Sequence, residues 1–315
     1  MNIKRALVTG GAGFIGSHLV ESLVQEGCQV SVIDNLSTGH RSNLNAVMDQ
    51  IAFFEGDIRD DAVMREAAQG CEVIFHQAAL VSVPESIEKP LESASINEMG
   101  TLKVLETARH HQVRRVVIAS SSAIYGDDPL LPKKEDMPAN PLSPYAIQKL
   151  TGEYYAWLYE KLHGLETVCL RYFNVFGPRQ DPSSPYSGVI SIFMTKAAQG
   201  KQPFIYGDGQ QTRDFVYVKD VVQANLLAAT VRDASGQVFN IGTGQTVTVN
   251  QLWETVCKLS HKQLEAQYMA PRSGDIRHSV ADIRQGQKIL AFSPQILFEK
   301  GLEITCQWYR NTMGT

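Results

Sequence analysis

The run Thr9-Gly10-Gly11-Ala12-Gly13-Phe14-Ile15-Gly16 constrains the fold more than any other stretch of this chain. It follows a short apolar segment and opens an amphipathic one, so it marks a strand that turns directly into a helix. Gly10, Gly13 and Gly16 have separate physical tasks in such a turn. They allow a tight reversal, let backbone approach a pyrophosphate, and let the helix pack on the strand. The same stretch also reads as G-x-G-x-x-G from Gly11. Gly10, Gly13, Phe14, Ile15 and Gly16 are therefore the candidate residues for a dinucleotide. Asp34 ends the next predicted strand, about 20 residues on, where a carboxylate takes the ribose hydroxyls of an adenosine. No basic residue follows it at once, so NAD is expected rather than NADP, whose 2′-phosphate Asp34 would repel.

The texture of the first half supports an α/β fold. Short β-branched runs alternate with longer amphipathic segments, as repeated βαβ units do. Strands are predicted at Ala6–Thr9, Val30–Asp34, Ala52–Glu55, Val73–His76, Arg115–Ser120 and Thr167–Arg171. Helices are predicted near Gly13–Glu26, Asp60–Gln69, Leu91–His110 and Ser143–His163. Apolar runs such as Val116-Val117-Ile118-Ala119 fit a parallel sheet covered on both faces. After Asn174 come turn formers and shorter pieces, with helices near Gly188–Gln199 and Val221–Val231 and strands at Phe204–Tyr206 and Phe215–Val218. A further helix is expected at Thr248, where Thr248 and Gln251 have capping-box spacing. The division this suggests is residues 1–170 for the cofactor and 171–315 for the substrate, with later segments free to return to the first sheet.

Bulk properties narrow the classes. The 315 residues, 43% of them hydrophobic, can bury a large core. A net charge of -4 gives no basic footprint for nucleic acid or an anionic membrane. No apolar run approaches the roughly 18 residues of a membrane span, and the first residues lack the apolar stretch of a signal peptide. Five cysteines without C-x-x-C spacing suggest free thiols in a reducing, cytoplasmic compartment. Neither they nor the eight histidines have metal-ligand spacing, so no metal is expected.

Chemistry enters with Tyr145 and Lys149, one helical turn apart and on one face. An ammonium beside a phenol favours the phenolate, and a positive nicotinamide does the same. Ser120-Ser121-Ser122-Ala123 ends the preceding strand, at the sheet edge where ligands of open α/β folds sit. A serine there can share the proton of a substrate hydroxyl. Asp57-Ile58 closes the third strand and either meets the adenine or is a plain helix cap. Ala78-Ala79, at the fourth strand end, either lines the cofactor or reflects tight packing.

Thr-Gly-x-x-Gly-x-x-Gly, Ser-Ser-Ser-Ala, Ser-Pro-Tyr-x-x-x-Lys and Arg-Tyr-Phe-Asn-Val-Phe-Gly-Pro-Arg together resemble the extended short-chain dehydrogenase/reductases, and within them the nucleotide-sugar 4-epimerases. The likeness runs from residue 1 to roughly residue 285 at family spacing. It implies a Rossmann-type doubly wound parallel sheet with a smaller mixed α/β C-terminal substrate domain. It also implies that Tyr145 is the base, Lys149 its electrostatic partner and Ser122 the hydroxyl-orienting serine. Asn35, Ser37, Thr38 and Gly39 join Asp34 as the adenosine-ribose loop, and Asn97, Ser120 and Tyr172 lie near the cofactor. The nucleotide diphosphate falls to Asn174, Arg213 and Arg272, and the uridine to Val189, Ile190 and Tyr206, with Asp275 near its ribose. Two guanidinium groups suit a pyrophosphate.

Two departures separate subclasses. Related 4,6-dehydratases carry an acidic pair after the strand-end serine or threonine, and related decarboxylases a glutamate at the place of Ala123; here Ser122-Ala123 offers no carboxylic acid. Epimerases restricted to plain hexoses resemble one another in a bulky tyrosine where this chain has Ser279, and a small residue leaves room for a 2-N-acetyl group. Ser82 and Val83 depart from the lysine-bearing version of their loop. The expected function is interconversion of UDP-N-acetylglucosamine and UDP-N-acetylgalactosamine on tightly held NAD. Alternatives are a UDP-glucose/UDP-galactose or UDP-glucuronate 4-epimerase, and a non-catalytic nucleotide sensor. The resemblance also implies a homodimer through a four-helix interface.

Overall fold

The computed structural model describes residues 3–181, 188–271 and 276–313. Its first half alternates as expected. β1 (Arg5–Thr9), β2 (Gln29–Asp34), β3 (Ile51–Glu55), β4 (Val73–His76), β5 (Arg115–Ser121) and β6 (Glu166–Tyr172) interleave with helices. These are α1 (Phe14–Gln25), α2 (Asp61–Ala67), α3 (Val83–Glu88), α4 (Pro90–Ala94), α5 (Gly100–His110) and α6 (Pro144–His163). The second half adds β7 (Asn174–Phe176), α7 (Val189–Ala198), β8 (Phe204–Tyr206), β9 (Thr212–Arg213), β10 (Phe215–Tyr217) and α8 (Val218–Thr230). It ends with β11 (Gln237–Ile241), β12 (Val247–Thr248), α9 (Val249–Leu259), β13 (Gln267–Met269) and α10 (Phe298–Met313).

Seven strands form one parallel sheet in the order β11-β6-β5-β4-β1-β2-β3. The order reverses between β1 and β4, so their carboxyl ends open the crevice in which doubly wound folds hold ligands. Side-chain alternation explains the layers. Val8, Val32, Phe75 and Val117 point to one face, under Leu19, Val20 and Leu23 of α1 and Val221, Ala224 and Ala228 of α8. Leu7, Ile33, Ile74 and Val116 point to the other, under Met64 of α2, Leu105 of α5 and Ala156 of α6. The near-continuous apolar strands are buried because both faces are covered.

A separate cluster of Phe176, Phe193, Phe215, Tyr217, Trp253, Leu302 and Tyr309 forms the core of the later segments, and Phe14 and Ile15 pack against it from the glycine turn. Small two-stranded pairings, β10 with β7, β12 with β9 and β13 with β8, organise the surface around that cluster. Thr248 caps α9 in the reciprocal box foreseen from its spacing: its Oγ1 accepts from Gln251 N at 3.0 Å, and Gln251 Oε1 accepts from Thr248 N at 2.9 Å.

Three features differ from the sequence expectation. The helix predicted over Leu91–His110 is broken into α4, a π-helical turn at Ser95–Met99 and α5. The extra residue of such a turn rotates side chains away from regular helical positions. β11 returns to pair with β6, the return that the sequence left open but did not locate. Helices α3 and α10 are absent from the expectation. Among the described residues no helix is long and apolar enough to cross a membrane.

Candidate active site

At the end of β1, Gly10 has φ +68, and a Cβ on it would stand 2.7 Å from Ala78 N, just beyond β4. A Cβ on Gly16 would lie 2.1 Å from Gly10 O. Both obstacles are backbone, so neither position tolerates a side chain without moving an element. A Cβ on Gly13 would meet Gly10 O alone, at 3.2 Å. Gly13 caps α1 without a side-chain hydrogen bond, and the first turn holds no acidic residue. The amides of Phe14 and Ile15 thus have no intrahelical acceptor and suit an anion.

Asp34 is buried. Its Oδ2 accepts from Ala12 N at 2.9 Å and its Oδ1 from Leu36 N at 2.8 Å. Burial pushes its carboxyl up, while these backbone donors work in the opposite direction. A Cβ on Gly39 would stand 3.0 Å from both Asp34 oxygens, so the loop closes tightly on the carboxylate. Asn35 Oδ1 accepts from Ser37 N at 3.1 Å, and Ser37 and Thr38 are exposed beside it. Asn35 Nδ2 donates to Asp57 Oδ2 at 3.1 Å. Arg59 holds Asp57 through Nε and Nη2, both at 2.8 Å, which brings the carboxyl down to about 2. The helix cap after β3 is Asp60, whose side chain accepts from Ala62 N and Val63 N. Asp57 is therefore not that cap. Ile58 is buried against Gly100, and Ala78 N donates to Thr9 Oγ1 at 3.3 Å with Ala79 next to it. A turn without room for side chains, an open helix start and a fixed carboxylate fit a dinucleotide with a free adenosine ribose.

Tyr145 and Lys149 enter near the start of α6, which Ser143 caps by accepting from Ala146 N at 3.2 Å. Tyr145 N donates to Ser86 Oγ of α3 at 3.2 Å. Lys149 Nζ donates to Ala119 O at 2.8 Å and lies 5.8 Å from the Tyr145 ring centre. Burial lowers the Lys149 ammonium to about 8 and raises the Tyr145 phenol, with a hydrogen bond from Ser121 acting the other way. Of the three strand-end serines, Ser120 donates to Glu153 Oε1 at 2.5 Å, Ser121 Oγ accepts from Ala123 N at 3.1 Å, and Ser122 begins a 3-10 turn to Tyr125.

Asn97 sits in the π-helical turn. Its Nδ2 donates to Leu80 O at 2.9 Å and Gln148 Oε1 at 2.7 Å, while its Oδ1 accepts from Leu80 N at 2.8 Å. It thus clamps the loop after β4 to the helix of Tyr145. Tyr172 is buried with its hydroxyl between Gln77 and Asn225. His76 completes the same floor, with Nδ1 2.8 Å from Thr9 Oγ1 and Nε2 3.0 Å from Thr101 Oγ1; burial lowers it to about 3, so it is neutral.

The backbone of Thr212–Asp214 gathers several substrate candidates. Asn174 N donates to Asp214 O at 3.0 Å, Ser279 N donates to Thr212 O at 3.2 Å, and Arg213 Nη1 donates to Arg277 O at 3.3 Å. Val189 and Ile190 open α7, and Tyr206 ends β8 with its carbonyl accepting from Gln211 Nε2 at 2.8 Å. Ser82 caps α3 by accepting from Glu85 N at 3.1 Å, with Val83 beside it, and α3 in turn reaches Tyr145 through Ser86. Arg272 and Asp275 lie outside the described residues.

Residues 6–242 match the NAD dependent epimerase/dehydratase family. This chain belongs to that family. A putative UDP-glucose 4-epimerase of Methanocaldococcus jannaschii is 42% identical over 311 residues, covering 98% of this chain and 99% of that protein. A UDP-N-acetylglucosamine 4-epimerase from Methanobrevibacter ruminantium M1, solved in complex with UDP-N-acetylmuramic acid, is similar at TM-score 0.95 and 40% identity, over 99% of this chain and 100% of the other. A UDP-glucose 4-epimerase from Thermotoga maritima, solved with UDP-glucose, is similar at TM-score 0.94 and 40% identity, over 98% of this chain and 99% of the other. Within the epimerase/dehydratase frame, three side chains escaped the sequence reading: Ser121 beside Tyr145, Ser86 beneath its backbone, and Gln148 on Asn97. Ser121 was visible in the serine run but indistinguishable from its neighbours. Ser86 and Gln148 carry no local signal.

Proposed function

We propose that this chain is an NAD-dependent nucleotide-sugar 4-epimerase interconverting UDP-N-acetylglucosamine and UDP-N-acetylgalactosamine. The observation that carries the reading is the approach of Tyr145 and Lys149 to the end of β5, where Ser121 meets the phenol and Ser122 opens the turn that follows. NAD, when bound, supplies an acceptor for the hydride of sugar carbon 4 and a donor that returns it. Tyr145 takes the proton of the 4-hydroxyl and later gives it back, and Ser122 orients that hydroxyl. Lys149 holds a positive charge beside the phenol. Burial alone keeps Tyr145 protonated, so its basic form depends on positive charge gathered around it. Ala123 offers no acid to drive water loss, which favours epimerisation over dehydration.

The proposed division of labour gives residues 1–170 to the cofactor and the rest of 171–315 to the UDP-sugar, with α8 and β11 returning to the first sheet. Asn174 and Arg213, joined by Arg272, take the pyrophosphate; Val189, Ile190, Tyr206 and Asp275 take the uridine and its ribose. Ser279, half-buried beside Thr212, leaves room for the acetamide, and the UDP-N-acetylglucosamine 4-epimerase named above supports that preference. Plain UDP-glucose and UDP-galactose form the second reading, favoured by the two UDP-glucose 4-epimerase relatives. Incubating the purified protein with each UDP-sugar and separating the products decides between them. Tyr145→Phe should lower turnover by about 10²-fold or more without changing the melting temperature. Near-normal epimerisation by that variant overturns the assignment.

The same reading assigns a homodimer. Tyr154, Trp157, Leu158 and Leu162 form an exposed stripe on α6, with Trp157 51% and Leu162 70% exposed, and Leu91 and Met99 lie exposed on the neighbouring α4 and π-helical turn. Helical faces this apolar pack against a second copy as a four-helix interface.

A further inference from the structure

We propose that the buried Glu153–Arg171 pair is a positioning device of this site, fixing the separation between the helix of Tyr145 and the turn of Ser122; this rests on the catalytic reading of those residues. Tyr145, Lys149 and Glu153 follow at intervals of four and form one stripe of α6. The stripe docks on the end of β5. Lys149 Nζ reaches Ala119 O at 2.8 Å, and the next residue, Ser120, donates its hydroxyl to Glu153 Oε1 at 2.5 Å. Arg171 lies opposite Ser120 in the β5–β6 register. It closes on the carboxylate with Nε to Oε1 at 2.9 Å and Nη2 to Oε2 at 2.8 Å.

The other end of the guanidinium leads to the serine turn. Arg171 Nη1 donates to Tyr125 Oη at 2.9 Å, and Tyr125 is the last residue of the Ser122–Tyr125 turn. Tyr125 in turn donates to Asn240 Oδ1 of β11 at 2.6 Å. One planar group thus touches the Tyr145 helix on one edge and the Ser122 turn on the other. Ser120, Tyr125, Glu153, Arg171 and Asn240 are all buried. Two charges this deep are a weak source of stability, because desolvation offsets most of their attraction. Geometry is the better account of why they are there.

The pair also bears on the placement of Lys149. The ionisable groups around that ammonium are Tyr145 and Glu153 on α6, His76 on β4 and Cys169 on β6, with Arg171 behind Glu153. Burial leaves His76, Cys169 and Tyr145 uncharged at neutral pH. Glu153 and Arg171 are paired with each other, so they act on Lys149 by holding its stretch of α6 against the end of β5 rather than by net charge.

Two variants separate positioning from mere support. Glu153→Gln/Arg171→Met removes both charges at nearly constant volume, and Tyr125→Phe removes only the hydroxyl that joins Arg171 to the serine turn. Tyrosine ionisation is followed in the cofactor-loaded protein by ultraviolet difference absorbance against Tyr145→Phe, which needs no sugar. The double variant should raise the Tyr145 midpoint by about one pH unit and lower kcat about 10²-fold with little change in KM. Tyr125→Phe should lower kcat severalfold, leaving both KM and the midpoint in place. Parent-like titration and kcat in a folded double variant overturn the proposal; if that variant does not fold, parent-like kcat in Tyr125→Phe does so. Should the parent turn over no UDP-hexose, the functional reading fails, and the tyrosine titration still decides the role of the pair.

Discussion

Burial acts in opposite senses on Tyr145 and Lys149, and under the proposed mechanism the result sets the pH range of the chemistry. Lys149 is brought down to about 8, so it is charged at neutral pH and loses its proton as pH rises through that value. The rate should therefore fall on the alkaline side near pH 8, well below the ordinary lysine range. Lys149→Arg keeps its charge and should flatten that limb in a profile of kcat against pH, even where the absolute rate is lower. Two buried histidines contribute to the acid side of stability. His76 is held neutral down to about 3 and His18 to about 4, against an ordinary 6.5. Between those values the unfolded chain binds more protons than the folded one, so stability falls as pH drops below 6.5. The loss is about 1.4 kcal/mol per pH unit for each histidine. Thermal melts between pH 7 and 5 should show this slope, and His76→Gln should make it shallower.

Among elements, the β1–α1 junction is the least tolerant. Gly16→Ala would place Cβ 2.1 Å from Gly10 O, so α1 must lift from the strand. The expected cost is about 1–3 kcal/mol, read by chemical denaturation, together with loss of NAD from the purified protein. Unchanged stability and cofactor content would contradict the packing role given to that glycine. This junction was legible because its constraint is local: strand, turn and helix are contiguous. The helix over residues 91–110 was only partly legible. Its apolar periodicity is real, but the π-helical turn carries Asn97 to Leu80 and Gln148, partners distant in sequence. Ser82 shows the same effect, since its hydroxyl caps α3, a helix too short to have announced itself by periodicity.

For the molecule as a whole, the later segments are tied to the sheet by more than β11. Arg179 Nη2 pairs with Glu21 of α1 at 2.5 Å, and His18 Nε2 lies 3.0 Å from Pro178 O. Residues 178 and 179 are thereby fastened to the helix that starts at the glycine turn. On the opposite flank, the apolar stripe of α6 is the surface proposed for a second copy. Trp157→Glu would put a charge in the middle of that stripe and should convert a dimer to a monomer in light scattering. A parent protein that is monomeric at high concentration would refute the assignment.

Contiguous or periodic signals determined the parallel sheet, the glycine turn, Asp34 and the Tyr145–Lys149 spacing. Each is set by residues within a few turns or one strand of each other, so the chain carries its own evidence. The pairing of β11 with β6, the contact of Ser121 with Tyr145 and the Glu153–Arg171 link to Tyr125 were decided by the tertiary structure alone. Their partners meet only after the sheet has ordered its strands, and a contact made across that distance leaves no pattern in the local sequence.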